Sequence, residues 1–415
     1  MRKGFRLLAG FAVIGMAVAA NGQEAPMGSP TKKTRKEEKA LKEFAGKLEG
    51  KIVWSTSRAN SKHDIWIMNA DGSDKKALTK SSNNVDWFSR FSPDGAKVIF
   101  TRSKMGWVNE MDAEVHDKWD LWLINTDGTN EEKIVEDAAW GTWRPSGDSI
   151  VFARGPKVYV RELSSGEESV IFDCEEYFEK DNVYAQQPQL SPNGKLLAIT
   201  VRGTIRQTGI YNRESKEWHT TGAGCQINWF PDNSMVLRMN EGQGNMGTEV
   251  LAIPVEESGK PAVRIKGLSV PKKIRFMDLP GRRSHEYFPQ LDQSGQWMVW
   301  AATQYGHEHD IVDYDLFIWD IETNKKKDYV RLTFHSGNDR WPDIHTGAVA
   351  AAAEAPAQKE PAMEAESEMA EESDADAEES MDEDAEAMTD EAAEESGQEM
   401  SDEEKSAEDE SAEEE

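Results

Sequence analysis

The stretch from Trp87 to Val135 reads WFSRFSPDG, AKVIFTR, an insert, WDLWLINTDG and TNEEKIV, and the rest of the chain copies it. Four short apolar-rich runs alternate with turn residues. Asp94-Gly95 and Asp127-Gly128 are tight-turn dipeptides, because glycine takes positive φ without steric cost. Ile99, Phe100, Leu121, Trp122 and Ile124 suit a pleated, buried surface. The stretch predicts a four-stranded antiparallel meander, strands A to D in order. One such sheet leaves its faces uncovered, so it needs neighbours of its own kind.

Degraded copies follow. The A–B turn returns as RPSG at Arg144–Gly147, SPNG at Ser191–Gly194, FPDN at Phe230–Asn233 and DQSG at Asp292–Gly295. A spacing of roughly 40–60 residues is the period of propeller blades. The first copy starts at Lys51–Trp54, already a strand B, and has no strand A. The chain's last strand-like run, DRWPDI at Asp339–Ile344, is a strand A with no blade behind it. Joined, the two make one blade and leave no open sheet edge. The expectation is an all-β, six-bladed β-propeller over residues 51–347, closed by its C-terminal strand. A sandwich of unrelated strands is the alternative.

Net charge sorts the ends from the body. Ala351 to Glu415 carries 29 acids against 2 lysines, so nearly all of the chain's net charge of −29 lies there. The folded part is close to neutral, which speaks against nucleic acid as a partner. Residues 348–415 hold almost no branched apolar or aromatic side chains and are expected to be a disordered acidic tail, a solubilising brush or a weak collector of cations. Residues 1–22 combine Arg2, Lys3 and Arg6 with an apolar run, Leu7–Ala20, and small residues for cleavage. That is the pattern of a signal peptide and is short for a membrane span, so the protein is expected to be periplasmic or secreted, with no integral span in the mature chain. Residues 23–50 read as a charged linker or a leader helix, with Leu41, Phe44 and Leu48 at helical spacing. Cys174 and Cys225 fall on different blades and are expected to be idle thiols, a disulfide being the alternative for an exported chain.

In such a meander the A–B and C–D turns share one face, expected to be short throughout. The B–C and D–A connections share the other and hold the inserts Lys104–Lys118, Asp173–Gln187, Asn240–Thr248, Gly267–His285 and Gln304–Tyr314. Function concentrates on loops held by a rigid scaffold, so this face is the candidate surface. Aligning the A strands stacks Phe91, Trp143, Leu190, Trp229, Leu291 and Ile344 at one apolar position. One residue earlier stand Arg90, Thr142, Gln189, Asn228, Gln290 and Asp343, all polar. Strand alternation turns this second set toward the central channel. It is either a hydrated structural ring or a ring that holds a ligand or the end of a partner peptide.

Three clusters bear chemistry. GHEHDIVDYD brings His307, His309, Asp310, Asp313 and Asp315 into one insert, and with His285 and His335 they are the candidate ligands of a divalent metal. Glu110 to Asp120 is a second acidic insert on the same face, a loose calcium site or plain polar surface. Arg282 and Arg283 can grip a carboxylate or phosphate. There is no G-x-S-x-G elbow and no phosphate-binding glycine loop.

DIWIMNADGSDKKALT (Asp64–Thr79) and FSPDGAKVIFTR (Phe91–Arg102) resemble the repeat of TolB-type six-bladed propellers, from Lys51 to about His345. TolB itself carries a small α/β domain ahead of its propeller, and too few residues lie before Lys51 for one. The repeat is also similar to the propellers of prolyl-oligopeptidase-type peptidases and of oligogalacturonate lyase, which holds a metal through histidines. The resemblance implies the fold and leaves the function open, since such propellers serve many roles. The expected function is an exported, non-enzymatic propeller with no tightly held cofactor, binding a protein or peptide through its loop-rich face and channel mouth. The alternative is a metal-dependent polysaccharide lyase or hydrolase, which would require His285, His307, His309 and His335 to converge.

Overall fold

A computed structural model describes residues 27–348, apart from 82, 111–114, 241–246, 266–269, 281–284, 305–307 and 324–327. The signal-like start and the acidic tail lie outside the described residues, as do His307, Arg282 and Arg283. No helix among the described residues is long and apolar enough to cross a membrane.

Among the described residues, twenty-four strands form six four-stranded antiparallel sheets. The chain enters with β1 (Gly50–Thr56), β2 (Asp64–Asn69) and β3 (Lys76–Ala77). The second blade is β4 (Asp86–Phe91), β5 (Lys97–Ser103), β6 (Trp119–Asn125) and β7 (Glu132–Val135). The third is β8 (Ala139–Trp143), β9 (Ser149–Arg154), β10 (Lys157–Glu162) and β11 (Glu168–Asp173). The fourth is β12 (Val183–Leu190), β13 (Leu196–Gly203), β14 (Gln207–Asn212) and β15 (Trp218–Gly222). The fifth is β16 (Cys225–Trp229), β17 (Met235–Asn240), β18 (Glu249–Pro254) and β19 (Arg275–Met277). The sixth is β20 (His285–Leu291), β21 (Trp297–Thr303), β22 (Asp315–Asp320) and β23 (Val330–Arg331). The last strand, β24 (Asp339–Thr346), then pairs antiparallel with β1, Ile344 opposite Ile52, and completes the first blade from its inner edge. This is the closure that the unpaired halves of the repeat predict.

An Asp at the head of strand C ties together three of the six blades. Asp64, Asp120 and Asp315 each accept a backbone N–H from the strand D side of their blade, from Ser81 at 3.0 Å, Asp137 at 3.1 Å and His335 at 3.3 Å. A carboxylate that ties a connection to a strand is a structural device, and Asp315 of the GHEHDIVDYD insert is one of these.

Two expectations change. The C–D turns are not all short, because β18 ends at Pro254 and β19 begins only at Arg275. The excursion between them packs Val263, Val270 and Ile274 onto the core shared with Leu196, Ile210 and Val236, replacing the burial that a longer outer strand would supply. The leader is also more than a solvated linker. Arg35–Phe44 forms a helix, α1, with a capping box between Thr34 and Glu37. Phe44 is buried, with its ring 5.7 Å from that of Trp297, and Arg331 of β23 bonds Glu37 at 3.1 Å. A helix with an apolar stripe thus covers the outer edge of the last blade. Cys174 and Cys225 are both buried and are not joined in a disulfide.

Candidate functional site

The six inner strands are β24, β4, β8, β12, β16 and β20, and all break register at the same place. Three residues before the stacked apolar position, each takes a positive φ: Phe88 at 53°, Trp140 at 62°, Gln187 at 53°, Gln226 at 60°, Phe288 at 59° and Trp341 at 50°. None is glycine, and the conformation costs roughly 1–2 kcal/mol for an L-residue. Six repetitions of one strained bulge require a common compensation, and the aromatic members supply it. The rings of Phe88 and Trp140 lie 4.9 Å apart, Phe88 and Trp341 5.0 Å, Trp140 and Trp341 5.4 Å, and Phe288 and Trp341 4.1 Å. All four are almost wholly buried. Gln226 belongs to the same layer, its carbonyl oxygen accepting the Phe288 N–H at 2.5 Å. The bulge turns these side chains inward, and together they plug the axis. Each inner strand runs from the loop-bearing face to the short A–B turn, so the plug stands on the loop side of the polar ring.

That order changes the expected site. Arg90, Thr142, Gln189, Asn228, Gln290 and Asp343 do occupy equivalent places on the inner strands, and all but Gln189 are buried. Yet they lie beyond the plug from the loop-bearing face, so ring and loops do not share one mouth. Most of them stitch one inner strand to the next. Thr142 donates to Pro188 O at 2.8 Å, Asn228 to Pro289 O at 2.5 Å, while Gln189 and Asp343 accept the N–H groups of Trp229 at 3.2 Å and Phe91 at 2.7 Å. Arg90 stacks its guanidinium 4.0 Å from the centre of the Phe88 ring and donates to Ser89 O at 2.7 Å. Burial pulls its pKa down to about 10, against the opposing pull of Asp343. Burial likewise pushes the Asp343 carboxyl up, against Arg90 and the Phe91 N–H.

On the loop side, the two acidic inserts meet. Arg340 is fully buried beside the plug, and its terminal nitrogen reaches Glu110 Oε2 at 2.8 Å, Asp310 Oδ1 at 2.7 Å and His309 O at 3.0 Å. Glu110 also accepts the Trp341 indole N–H at 2.9 Å and lies 3.0 Å from His309 Nδ1, and its backbone N–H reaches Asp310 Oδ2 at 3.1 Å. His63 leans in from the first blade, 3.4 Å from Asp310 O. The insert between β5 and β6 is thereby locked to the insert between β21 and β22, with the plug beneath. Burial works against charge on Glu110, but His309 and Arg340 hold its carboxyl below the usual range. Burial raises Asp310, only partly offset by Arg340, and Glu110 adds to the rise. Burial and the Arg340 charge push His63 well below the ordinary histidine value.

The remaining candidate ligands face other partners. His285 opens β20 opposite Thr303, Asp313 accepts the Thr303 hydroxyl at 3.2 Å, and His335 accepts the Gly337 N–H at 3.1 Å against the leader. Among the described residues, no three His, Cys, Asp or Glu side chains are placed to hold one metal ion. The cluster that does form is therefore a salt-bridged lock, and its Arg340 and Trp341 were not singled out from the sequence as site residues. The signal was present: aligning the A strands three places before the apolar position exposes a column of only Phe, Trp and Gln.

Glu286, near the loop end of β20, is a further buried acid. Oε1 accepts the Leu279 N–H at 2.5 Å, while Oε2 is buried without a partner. Burial pushes this carboxyl up to about 8, against the Leu279 and Glu286 backbone N–H groups, with Asp278 and Glu249 adding to the rise. A carboxyl raised in the folded state stabilises most below its unfolded pKa and loses that contribution as pH climbs through the folded value. Stability should therefore decline between the ordinary glutamate value of 4.5 and about 8. Glu286→Gln should flatten that decline. Urea midpoints at about pH 5 and about pH 9 check it, and parallel profiles for the two proteins would remove the buried acid from the account.

Fold and site together define an all-β six-bladed propeller with an aromatic layer across its inner strands, one face whose turns are short but for the excursion between β18 and β19, and one face of interlocked inserts. Solved structures similar to this chain include TolB from Acinetobacter baumannii, at 15% identity over 74% of this chain and 69% of that one, with a TM-score of 0.48. A putative TolB from Agrobacterium tumefaciens is similar at 13% identity over 73% of this chain and 100% of that one, with a TM-score of 0.44. An oligogalacturonate lyase in complex with manganese is similar at 12% identity over 66% and 71%, with a TM-score of 0.39. No family model matches the sequence, and no curated protein matches it either. At these identities the likeness concerns the fold.

Proposed function

We propose that this chain is an exported, non-enzymatic propeller that binds a protein or peptide partner on its loop-bearing face. The observation that supports it most is the Arg340 lock. It joins inserts 200 residues apart in sequence, as in the Glu110–Asp310 contact, and so holds a composite surface in one arrangement before any partner arrives. One Arg340 nitrogen serves both Glu110 and Asp310, an ion-paired arrangement that suits a scaffold better than acid–base chemistry. The packed aromatic layer beneath supports a binding face rather than a passage through the ring. On the locked insert, Met105 is 84% exposed and Val115 43% exposed, apolar side chains presented by a rigid support. The signal-like start at residues 1–22 supports export. The lyase reading requires His285, His307, His309 and His335 to converge; His307 lies outside the described residues, while His309 is turned to Glu110, His335 to the Gly337 N–H, and His285 stands opposite Thr303.

A photo-crosslinking residue placed at Met105 or Val115 in living cells should give a discrete adduct. The same group at Asp127 or Ser165, on the short-turned face, should give none. Adducts from Asp127 and Ser165 equal to those from the insert would overturn the assignment of the face.

A further inference from the structure

A recess of about 440 Å³ lies on the outer flank of the third and fourth blades. Its wall is Val170, Ile171, Phe172 and Asp173 of β11, Glu176 and Tyr177 of a short helix, α2 (Cys174–Phe178), and Tyr211 of β14. Four consecutive strand residues line one hollow. A β-bulge at Ile171 interrupts the alternation of side chains here, so residues from both faces of β11 border the hollow beside its outer edge. β11 is the outermost strand of its sheet, and that edge carries backbone groups with no strand beside them.

Edges are normally blunted by shortness, charge or cover. The other outer strands follow this rule: β3 and β23 have two residues each, β19 three, β7 four and β15 five, and α1 covers β23. β11 is the longest, at six residues, and leaves Val170 49% exposed. Beside it stands an aromatic wall. The Phe172 and Tyr211 rings are 4.6 Å apart, those of Tyr177 and Tyr211 5.6 Å, and the Tyr177 hydroxyl is fixed by the Trp218 N–H at 3.0 Å. The charged residues of the wall are both acids. Asp173 caps α2 by accepting the Glu175 N–H at 3.0 Å and lies 3.4 Å from Lys157 Nζ, and Glu176 is exposed at the rim.

We infer that this edge receives an extended segment of a partner protein as an added strand, with a lysine or arginine of that segment laid across Tyr177 and Tyr211 toward Glu176. Main-chain bonds to β11 supply affinity, and the aromatic and acidic wall selects the cationic side chain. The site shares the Asp173–Gln187 insert with the loop-bearing face but lies on other blades than the Arg340 lock, and it stands whether or not that lock presents a partner surface.

The test uses the full chain and two fluorescein-labelled hexapeptides of alternating threonine and valine, one with a central lysine and its twin with glutamate there. Anisotropy titration should show the lysine peptide binding about tenfold more tightly than its twin. Glu176→Lys should reverse that order, a result that a merely misfolded variant cannot produce. Equal affinities, no binding by either peptide at about 1 mM, or an order unchanged by Glu176→Lys would overturn the proposal. Sedimentation adds a further arm: a dimer of the full chain that Val170→Lys converts to monomer would place a second copy on this edge, and the proposal would fail.

Discussion

Arg340→Met should lower the stability of the propeller by about 3–5 kcal/mol at neutral pH. The guanidinium is fully buried and serves Glu110 at 2.8 Å and Asp310 at 2.7 Å. Methionine fills much of the volume but leaves Asp310 inside without its counter-charge and Glu110 with only His309 to balance its charge. Removing one partner of a buried ion pair costs far more than the pair contributes, because the survivor stays desolvated. The triple variant Arg340→Met, Glu110→Gln, Asp310→Asn should therefore recover most of the loss. The deficit should also shrink as pH falls. Burial already raises the Asp310 carboxyl, Arg340 opposes that rise, and its removal lets the group protonate sooner. Equilibrium unfolding in urea reads all of these. A loss under about 1 kcal/mol in the single variant, or no recovery in the triple, would mean that the inserts are held by something else.

Trp341→Ala should cost about 3–5 kcal/mol, the range for truncating a buried tryptophan. The ring touches Trp87, Phe88, Trp140 and Phe288, and its N–H bonds Glu110 at 2.9 Å. The comparison with Trp341→Gly is more telling. In an ordinary strand glycine is worse than alanine by roughly 0.5–1 kcal/mol. Here φ is 50°, where glycine is at ease and alanine is not, so glycine should equal or surpass alanine. If alanine is the more stable of the two by the ordinary margin, the left-handed bulge is not the conformation of this strand in solution.

Much of this molecule is legible in its amino acids. The turn dipeptides, the recurring strand B and the stray DRWPDI predict six blades and their closure, and β24 pairs with β1 as that reading requires. The polar column from Arg90 to Asp343 is legible too, since strand alternation is local. What escaped is the plug. Left-handed positions are usually announced by glycine or asparagine, and here they are filled by Phe88, Trp140, Gln187, Gln226, Phe288 and Trp341. The local cost is offset only by rings arriving from other blades, so no single blade reveals it. The long connection after Pro254 escaped for a similar reason, its apolar residues being matched to the neighbouring blade.

Repetition and alternation are properties of short windows, and the sequence alone therefore determined the blade, its count and the seam where the ring shuts. Which groups face one another across the axis depends on how far the ring turns before it closes. Only the tertiary structure could place Glu110 against Arg340 and Asp310, turn two acidic inserts into one lock, and set an aromatic layer between that lock and the polar ring. Buried charges and strained backbone persist where distant neighbours compensate them, and those neighbours are chosen by the closed ring.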